Sequence, residues 1–566
     1  MEASIAKLAH RGPDASRTER VGHATLGFHR LAIVNGARNA GMQPMRIGGH
    51  NSRWVLLCNG EIYNHETLAP RDACLEPSSD VDAILWMLEE HMLEEHMLEV
   101  PELASRLDGD FAFVAYDSKT GEFVAARDPV GVRPLFYAVS IKNTVIAFAS
   151  EAKALCGLIG IKDVRVFPPG HTYSSKTGRF EAYYHPRLPD PPNPVERTRP
   201  LSVADLMPET DKWGAPVSSL SLSSSPEAAK AVRAELGRAV QKRLDHGDVS
   251  DVVGVLCSGG VDSAAITCIA HEVLKGNKSK RKRKSKSMRV FTMKYRKGRS
   301  DDAFYAGLLC AYLGVDHRTF EFGPEDLQDI DATATAVIRA CETCDPNTIR
   351  AAIPMYLLAK AIKAEAPEVK VVLSGEGADE LFGGYNYFRL APDAASASAE
   401  CDRLLKNLHM FDLLRADRCF AAHGLEVRVP FLDPALIDCV RSGVSAERRV
   451  SGEKQLLRDA VSDIDALFRF RILDRAKEKF SDGAGFSYVP DLLRRIAADA
   501  EGGDDGTLDT RLAAEKAFYR RIFDREFGAA GPCREEWVVE RELPKWKEVE
   551  ARRAHAGGGA RFGMTD

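Results

Sequence analysis

One junction limits the fold of this chain more than any other stretch. Asp251-Val252-Val253-Gly254-Val255-Leu256-Cys257 reads as a buried strand, passes directly into Ser258-Gly259-Gly260-Val261-Asp262-Ser263, and is followed at once by a helix over 264–274. Strand, glycine turn and helix without a linker form the opening unit of a parallel sheet, whose ligands gather at the carboxyl ends of its strands. Gly259 and Gly260 let the backbone wrap closely around an oxyanion. Ser258 and Ser263 offer hydroxyl donors, and the helix N-terminus adds free N–H groups and a positive partial charge. No lysine follows the glycines, which excludes the GxxxxGK[ST] loop. The loop is read as a grip on ATP, and Asp262, which phosphate would repel, fits if it holds Mg2+ against pyrophosphate.

A second strand, 369–373, ends in Ser374-Gly375-Glu376-Gly377-Ala378-Asp379-Glu380-Leu381-Phe382-Gly383-Gly384. Three carboxylates at one strand end repel each other unless a cation or substrate offsets them. Asp262 and Asp379 are therefore the expected magnesium pair. Lys477, within 476–483, reads from charge and position alone as a surface lysine, although a lysine can also neutralise charge growing on phosphate.

At 566 residues the chain exceeds one core. From about 21 to 185 it shows short apolar strands, among them 54–58, 109–117 and 144–149, and a helix from Asp80 to about Leu98 capped by Ser78 or Ser79. Inside that helix Leu-Glu-Glu-His-Met occurs twice, and five residues turn the second copy about 140° away from the first, so a bulge or break is expected. Pro and Ser crowd the segment 185–226, a connector. A helix over 227–244 and strands at 251–257, 288–293 and 369–373 then alternate, giving a parallel sheet covered by helices. The expected domains are 1–185, a linker 186–225, 226–543 and a loosely attached polar tail 544–566.

Net charge is −5, from 77 basic and 82 acidic residues, so neither nucleic acid nor an anionic membrane is an expected partner. The eight basic residues between Lys275 and Lys286 lack interleaved aromatics and read as a solvated loop. Twelve scattered cysteines suit reduced thiols; Cys341-Glu342-Thr343-Cys344 has neither a second pair nor a local histidine to make it a zinc or redox site. No stretch reaches eighteen apolar residues and no leader pattern opens the chain, so it is expected in the cytoplasm.

Ser258–Ser263, Leu373–Tyr385, Thr348-Ile349-Arg350, Gly424–Asp433 and Lys477–Gly483 together resemble glutamine-hydrolysing asparagine synthetase of the B type, over His10 to about Phe527. The resemblance implies an α/β chain: an N-terminal-nucleophile glutaminase domain with two sheets between helix layers, then an ATP-pyrophosphatase domain like the adenine nucleotide α-hydrolases. It implies β-aspartyl-AMP formation from aspartate and MgATP, followed by ammonia attack. Ser258, Gly259, Gly260, Asp262 and Ser263 would hold pyrophosphate and magnesium, with Asp379 on the metal. Leu256, Val290, Ser374 and Gly375 would line the AMP site. Glu376 would assist ammonia attack, Lys477 would stabilise adenylation, and Arg350 would fork a carboxylate of aspartate. The segment 343–350 departs from the family's pattern at Cys344 and Pro346-Asn347. In the N-terminal domain Arg30 would pair with the glutamine carboxylate, Asn59 and Gly60 would donate to the oxyanion, and Glu61 and Asp80 would bind its amino group. His10–Asp14 matches a further family segment, and a homodimer is compatible with the resemblance.

The family's nucleophile is an N-terminal cysteine. This sequence starts Met1-Glu2-Ala3, its first cysteine is Cys58 beside Asn59, and His10–Asp14 lies close to its start. The expectation is ammonia as nitrogen donor in the chain as written, with an inactive glutaminase half that lacks its first core strand, and glutamine if a Cys-bearing segment precedes it. A β-lactam synthetase-like enzyme shares the architecture without the thiol, and aspartate-dependent pyrophosphate release would discriminate. A nucleotide-binding regulatory protein, with the N-terminal domain as a regulatory or binding scaffold, is the non-enzymatic alternative, and it gains weight only if ATP fails to bind.

Overall fold

The computed structural model describes residues 1–34, 41–47, 52–69, 78–90, 99–184, 226–246, 250–279, 286–296, 301–327, 329–475, 508–528 and 544–546. The amino-terminal part is antiparallel. A hairpin of β1 (Ala15–Val21) and β2 (Ala24–Arg30) stands beside two sheets. The larger is built from β3 (Trp54–Ile62), β4 (Gly109–Asp117), β5 (Phe123–Arg127), β9 (His171–Ser174) and β10 (Arg179–Ala182), in the order β10-β9-β5-β4-β3. The smaller contains β6 (Phe136–Ser140), β7 (Val145–Ala149) and β8 (Ile161–Val166), ordered β7-β6-β8.

The period-2 alternation of a strand makes these layers. Along β4, Phe111, Phe113 and Ala115 face a core shared with Ile84, Leu85 and Leu88 of the helix Asp82–Glu90. Ala112 and Val114 face the opposite core, where Tyr137, Phe148, Phe167, Tyr173 and Phe180 pack between the two sheets. The helix starts later than the sequence suggests. Neither Ser78 nor Ser79 caps it with a side chain; instead their backbone N–H groups donate to Asp82 Oδ2 at 2.6 and 3.0 Å. The second copy of the five-residue repeat and the connector 186–225 lie outside the described residues.

The carboxy-terminal part holds a five-stranded sheet, parallel throughout: β11 (Val252–Leu256), β12 (Ser287–Tyr295), β13 (Asp316–Phe322), β14 (Val371–Leu373) and β15 (Glu426–Arg428). Its order is β13-β12-β11-β14-β15. From β11 the chain builds outward to one side through β12 and β13, then returns to build the other side. The order therefore reverses at β11/β14, which is where open α/β sheets form their binding crevice. The helix after β11 runs Val261–Ser279, so 275–279 is helical where a loop was expected, and Lys286 Nζ donates to the Leu244 carbonyl at 2.8 Å. Of the tail, 544–546 is described, and there the Trp546 ring packs 6.1 Å from that of Tyr387. No helix among the described residues is long and apolar enough to cross a membrane.

Ion pairs cross between the two parts, alongside an apolar cluster to which Ile33, Val132, Phe136 and Leu155 of the first part contribute. Arg243, at the end of the helix Pro226–Asp245, is fully buried between Asp433 (2.8 Å) and Asp110 of β4 (3.1 Å). Arg418 lies between Glu151 (2.8 Å) and Glu342 (3.1 Å), and Arg11 reaches Glu151 and Asp417, both at 2.8 Å. Arg133 meets Glu426 at 3.0 Å, and Lys370 meets Asp14 at 2.6 Å. The His10–Asp14 segment is thus a seam element. Replacing Arg243 by Ala leaves Asp110 without this buried partner. The expected cost is about 3–5 kcal/mol, read as a lowered thermal unfolding midpoint.

Candidate functional site

The turn after β11 folds on itself before it can hold anything else. Ser263 Oγ accepts from the Ser258 N–H at 3.0 Å, donates to the Gly260 carbonyl at 3.2 Å, and stands 3.1 Å from Ser258 Oγ. Gly259 has φ +74°, and a Cβ there would come 2.8 Å from Tyr305 Cβ, so the position admits only glycine. Arg475 clasps the outside of the turn: its guanidinium donates to the Gly259 carbonyl at 2.8 Å, pairs with Asp302 at 3.1 Å and lies 4.4 Å from the centre of the Tyr305 ring.

The turn after β14 meets this one because Gly375 lacks a side chain; a Cβ would come 3.2 Å from Asp262 Cβ and 3.3 Å from the Ser263 nitrogen. Ser374 is buried and its N–H donates to the Arg428 carbonyl at 2.9 Å. The three carboxylates of this turn separate by partner. Asp379 meets the Lys454 ammonium at 2.6 Å, and the same ammonium also binds Asp262. Glu376 takes Arg415 at 3.0 Å, whose other nitrogen holds Asp412 at 2.9 Å. Glu380 turns inward to the Tyr385 hydroxyl. The expected pair of aspartates is brought together, around a cation that the sequence did not reveal. Lys454 is 2% exposed at its side chain and has φ +55°, unusual for a residue with a Cβ and a mark of backbone held for a purpose. In Ser-Gly-Glu-Lys it reads as any surface lysine, and nothing local distinguishes it.

Other expected residues are distributed differently. Leu256 ends β11 next to the turn, but Val290 is fully buried, level with Val255 in the middle of the sheet. In parallel register the part of β12 level with the turn lies further on, where Thr292 Oγ1 donates to the Cys257 carbonyl at 2.7 Å. Arg350 has a partner within the chain. Its Nε donates to Glu515 Oε1 at 2.8 Å, Nη2 donates to Oε2, and Glu515 is fully buried. Such a carboxylate requires a cation, and Arg350 supplies one. Lys477 lies outside the described residues. Cys341 finds Cys419, with the sulfurs 3.9 Å apart.

In the amino-terminal part, β3 carries Cys58, Asn59, Gly60 and Glu61 in sequence. Asn59 Nδ2 is buried without a hydrogen-bond partner among the described residues. Glu61 and Asp80 are both buried, and Asp80 accepts from the Ile62 N–H at 2.7 Å and Ser79 Oγ at 2.9 Å. Burial, with the charge of Asp80, raises the Glu61 pKa; Asp80 is lowered despite its burial, by its hydrogen bonds to His246, Ile62 and Ser79. Burial also pushes the Cys58 thiol well up, and the two carboxylates push it further, so it stays protonated. Arg30 is buried and donates to the Val34 carbonyl at 3.1 Å.

A family model for asparagine synthase matches residues 231–401 and 392–548, and one for a glutamine amidotransferase domain matches residues 1–181. The chain is similar to glutamine-hydrolyzing asparagine synthetase 1 of Arabidopsis thaliana, 35% identical over 536 residues that cover 92% of this chain and 82% of that protein. It is likewise 35% identical to the glutamine-hydrolyzing asparagine synthetase of Rattus norvegicus over 578 residues, covering 96% of this chain and 93% of that one.

The two roles for Arg350 separate by experiment. If Arg350 serves Glu515, Arg350→Ala and Glu515→Gln each lower the thermal midpoint, Arg350→Ala by the equivalent of about 3–5 kcal/mol. If it serves substrate instead, Glu515→Gln leaves ligand affinity untouched and Arg350→Ala abolishes it.

Proposed function

The chain belongs to the family of glutamine-hydrolysing asparagine synthetases, and we propose that its two meeting strand-end turns carry out the ATP-dependent conversion of aspartate to asparagine. The side-chain carboxylate of aspartate attacks the α-phosphorus of ATP, and the bond to the bridging oxygen breaks to release pyrophosphate. Ammonia then attacks the acyl carbon of β-aspartyl-AMP, and AMP leaves. The observation that carries this reading is the Lys454 ammonium held between Asp262 and Asp379 beside the Ser258–Ser263 turn.

In this proposal the backbone of Ser258, Gly259 and Gly260 at the helix N-terminus receives pyrophosphate oxygens. Leu256, Ser374 and Gly375 border AMP. Lys454 offsets the charge that grows on the leaving group. Glu376, paired with Arg415, takes the proton that the attacking ammonia loses. Lys477 would add a second cation. The residues suit Mg2+: Asp262 Oδ1 is buried and has no hydrogen-bond partner among the described residues, as an oxygen reserved for a metal would be. Asp262 and Asp379 would hold the ion, which when bound shields the phosphate charge.

Arg30, Asn59, Gly60, Glu61 and Asp80 form the proposed glutamine pocket, with the orphan Asn59 amide as oxyanion donor. Cys58, the cysteine on the pocket strand, is buried and kept as a thiol, so the 566 residues themselves offer no activated sulfur there among the described positions. Ammonia is the proposed nitrogen donor for them, and the cytoplasm, which keeps thiols reduced, is the proposed compartment.

With aspartate and MgATP, asparagine should form from ammonium and at most slowly from glutamine; equal rates from the two donors would contradict the donor assignment. Lys454→Met should slow aspartate-dependent pyrophosphate release about 10²–10³-fold, with the circular dichroism spectrum retained. A rate within a few fold of the parent would remove Lys454 from the site.

A further inference from the structure

His246 directly follows the helix Pro226–Asp245 and reaches from the parallel-sheet part into the pocket of the antiparallel part. Its Nε2 lies 2.5 Å from Glu61 Oε2 and 3.4 Å from Asp80 Oδ2, and all three residues are more than nine-tenths buried. Tyr63 and His65 stand edge-on to the imidazole, each 5.4 Å away between ring centres. The ring is presented on a fixed backbone. Arg428 donates to the carbonyls of Arg243 (2.6 Å) and His246 (3.0 Å), and Lys286 donates to those of Leu244 (2.8 Å) and His246 (3.4 Å). The last carbonyls of the helix are thereby covered by cations, and the imidazole turns toward the carboxylates.

Three such side chains could also suggest a divalent ion. The distances argue otherwise: two ligand atoms in a tetrahedral zinc set stand about 3.3 Å apart, whereas 2.5 Å is a direct contact between imidazole nitrogen and carboxylate oxygen. Charge agrees. Two buried carboxylates need a cation, and the nearest other one, Arg428, is 3.6 Å from Glu61 and already joined to Glu426 at 2.8 Å. Arg243 is engaged by Asp110 and Asp433, and Lys286 by backbone carbonyls. Burial alone would lower the imidazole pKa, but the charge of Glu61 and hydrogen bonding to Asp80 raise it to about 9, so the ring is an imidazolium at neutral pH.

Building on the reading of Glu61 and Asp80 as the subsite for an amino-acid ammonium group, we propose that His246 sets the specificity of this pocket, its ring filling the cation subsite and shutting out the ammonium of glutamine. An incoming amino acid must first displace a cation that belongs to the chain itself. The carboxylate and amide subsites, Arg30 and Asn59, are not touched by this plug. It therefore discriminates against the amine of a ligand and not against the rest.

Calorimetric titration of the full chain and of His246→Ala near neutral pH, with L-glutamine and with glutaramate, its amine-free analogue, tests the plug. The variant should bind glutamine about tenfold or more tighter than the parent, because the competent pocket is no longer a minor population, while glutaramate affinity stays unchanged. Parent and variant binding glutamine alike, or glutaramate gaining as much as glutamine, overturns the proposal. Imidazole is the second probe, independent of glutamine: it should raise the thermal midpoint of His246→Ala and leave the parent unmoved. If imidazole stabilises the variant but glutamine binds neither protein, the cation subsite is real and the glutamine reading of the pocket fails, and the specificity role fails with it. If imidazole has no effect while glutamine binds both equally, the plug alone fails. Should His246→Ala not fold, His246→Ser, which removes the ring and leaves its space open beside a small polar group, serves for both measurements with the same expected direction.

Discussion

A buried arginine needs ionic or hydrogen-bonding partners, and ion pairs that meet this need cross between the two halves of this chain. Arg243, Arg418 and Arg428 are among its largest fully buried side chains. All three belong to the parallel-sheet half, and each faces an acid of the antiparallel half: Asp110, Glu151 and Glu61. Separation would take these arginines away from Asp110, Glu151 and Glu61, while each arginine keeps an acid of its own half, Asp433, Glu342 or Glu426. Arg428 shows how far the coupling extends. Its guanidinium points at Glu61 in the amino-terminal pocket, while its carbonyl takes the N–H of Ser374, the residue that opens the second turn of the nucleotide site. One residue of β15 therefore touches both sites.

Within the nucleotide site the same economy of charge appears on a smaller scale. Three acids follow β14, and the fold gives each its own partner, Arg415, Lys454 or a tyrosine hydroxyl. That separation keeps Asp262 and Asp379 as a pair around one cation while Glu376 is held apart from them. The strand order places these turns side by side, because β11 and β14 are neighbours although more than a hundred residues separate them. The glycine turn after β11 and the acidic turn after β14 thus meet, as neither strand end could arrange by itself.

Where a property is local, it was legible. The strand Gly109–Asp117 has the bounds that its alternation suggests, the Ser258–Ser263 turn stands between strand and helix, and a parallel sheet follows from the alternation of elements. The glycines at 259 and 375 have the spatial reasons their positions imply. Where a property depends on distant parts, the order of residues does not give it. Arg350 reads as a substrate fork because a guanidinium suits that role, and its pairing with Glu515, 165 residues away, is visible only in the fold. Val290 was one residue type among several on an apolar strand, and its depth in the sheet is set by register against β11.

The sequence by itself determined the local chemistry: which strand ends in a phosphate-gripping turn, which acids lie near glycines, and which family's motifs the chain carries. These follow from backbone freedom, side-chain period and the order of residue types, all of which act over a few positions. Only the tertiary structure decided which cation stands between Asp262 and Asp379, which arginines are spent on the seam, and that His246 enters the pocket of the other half. Those outcomes depend on the energy of burying charge, which forces a partner to be found wherever the folded chain brings one within reach.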